Sequence, residues 1–336
     1  MRTGIKKDIK DIQKFCIENN KEEKYMPKKL MIEVTNYCNS KCIFCVNCKM
    51  IRKKCFIDEN IVKKAIEQGK NMGIQEVGFY TNGEPLLNLN IDRYIEYAKK
   101  NSYNYVYITT NGILANEERI RKLFDIGLDS IKFSINSIEK ENYNKIHGTD
   151  CFEVVVNNLK NIYNMKKKEY KNKRVYVSYI KTKLNNYKDN EINDFFKEYC
   201  DDISIQNVRN QGGLVSNIKK LKFNNTREEY KLPCFYPFNT VVITCEGYVT
   251  ACCMDFQNYL VYGNLNKGKM SDIWNNEVIQ KLREKHLNGK IDNILCKNCI
   301  ENKFEKCKPL LRKYASEINF DEWRKYENIN GYITKW

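Results

Sequence analysis

Cys38, Cys42 and Cys45 stand in the stretch "YCNSKCIFC" (37–45), a CxxxCxxC spacing that puts three thiols on one short loop. Deprotonated sulfur is a metal ligand, and a neighbouring cation lowers a thiol pKa from about 8.5. A structural zinc would need a fourth ligand. An iron–sulfur cubane held by three cysteines instead leaves one iron open, where a substrate or cosubstrate can bind at metal. Cys48 and Cys55 follow closely, but the three-cysteine spacing is complete without them, and neither is given a ligand role.

A second set lies far down the chain. Cys234 and Cys252 bracket a short segment and "CKNC" supplies Cys296 and Cys299, which makes four ligands with no open position. A zinc ribbon usually takes its ligands as two CxxC pairs, whereas the first pair here is split by 17 residues. Cys245, Cys253 and Cys307 are unassigned, and any of them could be a small buried residue. With only two histidines, His147 and His286, the chain is poorly equipped for a His-ligated metal or an imidazole network.

These residues need a scaffold, and the sequence supplies one. Six short apolar runs, 29–35, 76–81, 105–110, 130–135, 174–180 and 202–208, are rich in β-branched and aromatic residues and read as strands. Stretches of helical period separate them. In the first, Asp58 is a plausible N-cap and Ile61, Val62, Ala65 and Ile66 line one face. Such alternation implies parallel strands with right-handed crossovers, an α/β fold whose sheet can curl into a complete or partial barrel, and a partial (β/α)6 TIM-like barrel is expected. The site then belongs at the C-terminal strand ends. The cysteine loop follows the first run, "NGEP" (82–85) the second, Asn111 and Gly112 the third, and Asn136 and Ser137 the fourth.

After Asn210 the pattern breaks at "QGG", and a polar connector (217–231) follows. "NTVVITCEGYVTAC" reads as a hairpin turning at Glu246 and Gly247, with a helix from Ser271 to about Leu287. The expected organisation is an N-terminal extension (1–28), a barrel (29–210), a small hairpin-plus-helix domain (211–307) and a tail (308–336).

Composition narrows the setting. A chain of 336 residues suits one large domain and a smaller one. Its charged N-terminus lacks the apolar stretch of a signal peptide, and no run of about 18 apolar residues occurs, so a cytoplasmic protein without a membrane partner is expected. Fifteen cysteines in that setting suggest metal or redox chemistry. Lysine is spread along the whole chain without a compact basic tract. The +16 charge therefore argues little for a nucleic-acid partner and gives only a weak preference for an anionic substrate.

The CxxxCxxC loop after a first barrel strand resembles the radical S-adenosylmethionine (SAM) superfamily. That resemblance implies a 4Fe-4S cluster on Cys38, Cys42 and Cys45 whose open iron chelates SAM. "NGEP" matches the family's GGEP at three of four positions, with Asn82 in place of the first glycine. The Asn82, Gly83 and Glu84 backbone and the Glu84 carboxylate would then face the SAM ammonium, and Pro85 would stiffen the turn. Asn111 stands as in the family's "TNG", and Ser134 matches a serine placed near the SAM ribose or carboxylate, although a plain strand-end polar residue explains both. Phe44 sits where the family commonly has an aromatic beside the adenine, and packing also explains it. His147 occupies a position where relatives often have Arg, and reads as a surface or satisfied histidine. The second set, with "GYVTACCMD", resembles the twitch auxiliary domain, the short form of SPASM, which implies one auxiliary 4Fe-4S cluster on Cys234, Cys252, Cys296 and Cys299.

The resemblance implies a 5′-deoxyadenosyl radical that abstracts hydrogen from a substrate C–H bond, with an external electron donor such as flavodoxin or ferredoxin. Dehydrogenation of a carbohydrate, aminocyclitol or nucleotide-linked small molecule is the leading expectation. Epimerisation would follow if a thiol, first of all Cys253, returned a hydrogen atom. The alternative is maturation of a ribosomal peptide. The chain has under 30 residues before the first strand, short of a leader-binding domain, which favours the small molecule. A non-catalytic nucleic-acid-binding cluster protein is the third reading, and "NGEP" at a strand end argues against it.

Overall fold

The computed structural model describes residues 25–214, 218–221, 233–301 and 308–315, so residues 1–24, most of the connector, Cys307 and the end of the tail lie outside the described residues. Six strands form where the apolar runs predict them: β1 (Lys29–Ile32), β2 (Glu76–Phe79), β3 (Tyr105–Thr110), β4 (Ser130–Ser134), β5 (Arg174–Lys181) and β6 (Asp202–Asn207). They lie parallel in the order β6-β5-β4-β3-β2-β1. Helices α1 (Glu59–Asn71), α2 (Ile91–Lys100), α3 (Glu117–Asp125), α4 (Lys140–His147), α5 (Phe152–Glu169) and α6 (Asp189–Phe196) fill the crossovers, giving the partial barrel. Asp58 caps α1 by accepting from the Asn60 N–H at 2.8 Å, and Val62, Ala65 and Ile66 are buried on its inner face.

Strand alternation sorts the side chains. Leu30, Ile32, Val77, Phe79, Val106, Ile108, Ile131 and Phe133 form one core with the apolar faces of the helices. The opposite face carries Tyr80, Tyr105, Tyr107, Ser130, Lys132 and Tyr176, polar groups that a core would not accommodate.

The hairpin forms as expected, with β7 (Thr240–Ile243) and β8 (Tyr248–Thr250) antiparallel. It does not stand apart from the barrel sheet: β7 pairs parallel with β1, Lys29 opposite Thr240 and Ile32 opposite Ile243, and β9 (Val261–Asn264) completes nine strands. β1 thereby gains a partner for backbone groups that would otherwise be an open edge. The single helix expected from Ser271 is two, α7 (Met270–Trp274) and α8 (Glu277–Leu287), because the Asn276 side chain accepts from the Val278 and Ile279 N–H groups and starts a new helix. Finally α9 (Ile294–Glu301) carries "CKNC" and docks on "QGG". A Cβ on Gly212, at φ +68°, would stand 2.8 Å from Leu295, so only glycine permits that approach.

Candidate active site

The cysteine loop leaves β1 and is tied to the end of α4. Lys41 and Ile43 donate their N–H groups to the carbonyls of His147 and Ile146, each at 2.9 Å, taking carbonyls that a helix C-terminus leaves unpaired. Each thiol has its own N–H donor. The Asn47 N–H points to Cys45 Sγ at 3.4 Å, His147 Nδ1 lies 3.6 Å from Cys42 Sγ, and Asn111 Nδ2 is 3.9 Å from Cys38 Sγ. Lys54 donates to the Asn36 carbonyl at 2.7 Å and Asn47 Oδ1 at 2.9 Å; burial pushes its pKa down while Cys38 and Cys45 pull it up. Three donors and a cation suit three thiolates.

The neighbours of His147 fix its tautomer. The Asn136 N–H donates to Nε2 at 3.2 Å, and Asn136 Oδ1 accepts from the Ile180 N–H at 2.7 Å, which turns Asn136 Nδ2 toward Nε2 as well, at 3.1 Å. Nε2 is therefore the acceptor, and the neutral ring carries its proton on Nδ1, facing Cys42. Burial pushes the imidazole pKa down to about 3. His147 is the satisfied histidine of the two readings open to it, buried and stacked on Tyr143 at 4.1 Å.

"NGEP" lies across the cysteine loop. A Cβ on Gly83 would come within 2.1 Å of the Thr35 carbonyl oxygen and 2.7 Å of that of Tyr37, so the close approach here is to the chain just before Cys38. Asn82 Nδ2 donates to Glu33 Oε2 at 2.6 Å, while Asn82 Oδ1 and Ser40 Oγ are buried and have no hydrogen-bond partner among the described residues. Such orphaned polar atoms fit a site that takes a polar ligand. Glu84 turns its carboxylate inward: Oε1 accepts from the Leu86 N–H at 3.0 Å and Thr110 Oγ1 at 2.7 Å, and Oε2 from the Asn111 N–H at 2.7 Å. Burial pushes this carboxyl up against those bonds. Pro85 opens a single 3-10 turn, Asn111 Nδ2 also bonds Asn39 Oδ1 at 2.6 Å, and Ser134 ends β4 half-buried opposite Ser178. Phe44 is buried in the core.

One network was missed in the sequence. Arg52, fully buried, donates to Glu33 Oε1 at 2.5 Å and forks onto both oxygens of Glu246, its Nε reaching Oε1 at 2.8 Å. Burial pushes the Glu33 carboxyl up, but Arg52 and the Cys245 N–H outweigh it and hold the pKa below the ordinary value. A glutamate inside "KLMIEVT" was the available signal.

The second cysteine set comes from three segments. Cys234 precedes the helical turn Tyr236–Asn239, Cys252 follows β8, and Cys296 and Cys299 lie on α9. Burial pushes the Cys234 thiol up to about 12, with Cys299 and Cys253 near enough to add to the effect. Zinc bound at about 2.3 Å would draw four sulfurs to about 3.8 Å apart. Among the described residues, the trio of ligand atoms drawn within 4.8 Å of one another is Cys55, Cys245 and Glu246, so neither expected ligand set is collapsed onto a single ion. Cys253 faces the polar side of the sheet, close enough to Lys132, Tyr80 and Tyr107 to act on them electrostatically. There Tyr80 and Tyr107 are 5.6 Å apart, Tyr105 donates to Ser130 Oγ at 2.6 Å, and Lys132 lies 5.7 Å over the Tyr80 ring.

A three-thiol loop at a barrel strand end, crossed by a glycine turn and fed by N–H donors, has the form of a SAM-binding iron–sulfur site. The radical SAM superfamily model matches residues 32–198, and the chain belongs to that superfamily. A SPASM iron–sulfur cluster-binding domain matches residues 234–300, so the enzyme's cofactors are SAM, a main 4Fe-4S cluster and an auxiliary one. The chain is 27% identical over 282 residues, 80% of its length and 90% of the relative's, to an S-adenosyl-L-methionine-dependent 2-deoxy-scyllo-inosamine dehydrogenase of Niallia circulans. Its fold is similar to that of BtrN, solved in complex with AdoMet and 2-DOIA, with TM-score 0.56 and 22% identity over 82% of this chain and 94% of BtrN. It is also similar to that of Streptococcus suis SuiB bound to precursor peptide SuiA, with TM-score 0.62 and 16% identity over 84% of this chain and 71% of SuiB. Among the described residues no helix is long and apolar enough to cross a membrane.

Proposed function

We propose that the chain oxidises a small hydroxylated molecule, an aminocyclitol, carbohydrate or nucleotide-linked compound, by removing hydrogen from one of its C–H bonds. SAM and the two clusters, when bound, supply hydrogen-atom abstraction and a route out for the second electron. Cys38, Cys42 and Cys45 would hold the main cluster, and Cys234, Cys252, Cys296 and Cys299 the auxiliary one. Asn82 Oδ1, without a partner among the described residues, and the backbone of the Asn82–Glu84 turn would offer acceptors to the SAM ammonium, while the Glu84 carboxylate shapes the turn from inside. Asn111 and Ser134 stand at strand ends where the rest of SAM would lie, Phe44 would lie beside the adenine, and Pro85 stiffens the turn. A flavodoxin or ferredoxin is the expected electron donor.

The observation that carries this reading is the polar side of the sheet. On that side Tyr80, Tyr107 and the Lys132 ammonium offer groups suited to the hydroxyls, amines or an anionic substituent of such a substrate. Similarity over most of the chain to a dehydrogenase of an aminocyclitol supports it. The test is anaerobic reconstitution followed by incubation with SAM, reductant and a panel headed by 2-deoxy-scyllo-inosamine. Expected is 5′-deoxyadenosine formed with an equal amount of product lighter by two hydrogens. Turnover only with a peptide would overturn the reading.

The place of Cys253 on that same polar side favours a second reading, epimerisation. It requires solvent deuterium in a product of unchanged composition, lost in Cys253→Ala.

A further inference from the structure

Cys55 and Cys245 lie 190 positions apart in sequence, yet their sulfurs are 2.8 Å apart. That is inside van der Waals contact and within about 0.8 Å of a disulfide bond length. Cys55 is half-buried and Cys245 is 3% exposed, the pairing of a partly accessible thiol with a sheltered one that redox-responsive cysteines use. Their backbones belong to the two cysteine-bearing regions. The Cys55 N–H donates to Asn36 Oδ1 at 2.8 Å and its carbonyl accepts from Thr35 Oγ1 at 2.8 Å, just before Cys38. Cys245 starts the hairpin turn that leads to Cys252, its N–H on Glu33 Oε1 at 3.1 Å.

Glu246 completes a trio that could hold an ion, but its surroundings speak against one. Arg52 already occupies both Glu246 oxygens and places a guanidinium 3.6 Å from Cys245 Sγ. A metal cation there would meet a buried positive charge and a carboxylate already paired. Two thiols beside an arginine are instead poised for thiol–disulfide exchange.

We propose that Cys55 and Cys245 form a reversible dithiol–disulfide site that ties the cluster loop to the hairpin. The oxidant is a low-molecular-weight disulfide. The Cys55 thiolate attacks one of its sulfurs, forming a mixed disulfide and expelling a thiolate. The Cys245 sulfur then attacks Cys55 Sγ, expelling the second thiolate. Two protein thiols are oxidised, one external disulfide is reduced to two thiols, and the two protons released on the protein side go to the leaving thiolates.

The test uses holoenzyme loaded with its clusters under anaerobic conditions. It is equilibrated with mixtures of glutathione and glutathione disulfide, acid-quenched, alkylated and mapped by mass spectrometry. The Cys55–Cys245 peptide should accumulate at least about tenfold over any pair containing Cys151 or Cys200, with cluster iron retained, and revert on reduction. Cys245→Ser should halt at a Cys55–glutathione adduct, and Cys55→Ser should leave Cys245 unmodified. Wild-type mapping and Cys55→Ser decide the matter if Cys245→Ser fails to fold. No cross-link before cluster iron is lost would overturn the proposal, as would one further metal ion per chain that both variants lose.

Discussion

Arg52 is the buried cation between the two cysteine-bearing regions, and Arg52→Met removes its charge while keeping most of its length. Arg52 and Glu33 are 0% and 1% exposed, so the substitution leaves a carboxylate uncompensated inside the sheet. Breaking a buried pair from one side costs about 3–5 kcal/mol. Glu33 keeps Asn82 Nδ2, Thr81 Oγ1 and the Cys245 N–H as donors, which places the loss near the lower end, about 3 kcal/mol. Glu246, 20% exposed, is rehydrated at little further cost. At about 1.4 °C per kcal/mol for a chain of this length the Tm falls by about 4 °C. The pH dependence separates this account from simple loss of packing. In the wild type the Glu33 pKa is lowered, so its contribution is present above the ordinary carboxyl pKa and lost as pH falls through the lowered one. In the variant burial dominates and raises that pKa, so the penalty is full at neutral pH and shrinks on acidification. Thermal unfolding of both proteins from about pH 7.5 to about pH 5 should show the gap narrowing, and Glu33→Gln in the Arg52→Met background should restore about 2 kcal/mol. A Tm within about 1 °C of wild type at neutral pH, or a gap that widens on acidification, would refute the reasoning.

His147→Phe keeps the stack on Tyr143 and deletes the N–H facing Cys42, so the reduced, more negative main cluster loses a donor. At about 40 mV per kcal/mol for one electron, its midpoint potential should fall by tens of mV in a titration followed by electron paramagnetic resonance. With the imidazole pKa pushed down to about 3, the wild-type potential should not change with pH around neutrality through this group. Gly83→Ala drives a Cβ into the Thr35 and Tyr37 carbonyl oxygens and should weaken SAM binding at least about tenfold by calorimetry, with far-ultraviolet circular dichroism unchanged. Iron analysis should give about eight atoms per chain in wild type and about four in Cys38/Cys42/Cys45→Ala, which should also lose reductive SAM cleavage; zinc in place of iron would remove the cluster reading. If the polar side of the sheet binds the proposed substrate, Lys132→Met, at the Tyr80 ring there, should raise the substrate KM about tenfold or more while substrate-independent SAM cleavage persists.

Local signals carried most of the fold. Strand period, the Asp58 cap and the hairpin turn are written in neighbouring residues, and each forms where expected. What was missed is nonlocal. No pattern in "NTVVIT" says that it will pair with β1, because a strand's partner is chosen by tertiary packing. Arg52 and Cys245 are 193 positions apart, and His147 and Cys42 are 105 apart; neither pairing leaves a sequence trace. Two misses were legible. "WNNEV" contains an Asn that caps α8, and the two glycines of "QGG" stand where Leu295 and Asn298 of the CKNC helix press on the backbone.

The β1–β7 pairing explains how two cysteine sets so distant in sequence can serve one reaction. The cluster loop leaves the end of β1, and Cys252 follows the strand that completes the hairpin on the edge of β1. Their separation is thus set by hydrogen-bonded strands and by the Glu33–Arg52–Glu246 bridge, whatever the connector between the two regions does. Glu33 serves both sides. One oxygen takes Arg52 and the Cys245 N–H of the hairpin, and the other takes Thr81 and Asn82 of the turn that crosses the cysteine loop. A buried carboxylate in a strand is expensive unless every lone pair is used. Here each one is used, and Glu33 is the point where the NGEP turn, the cysteine loop and the hairpin are held in register.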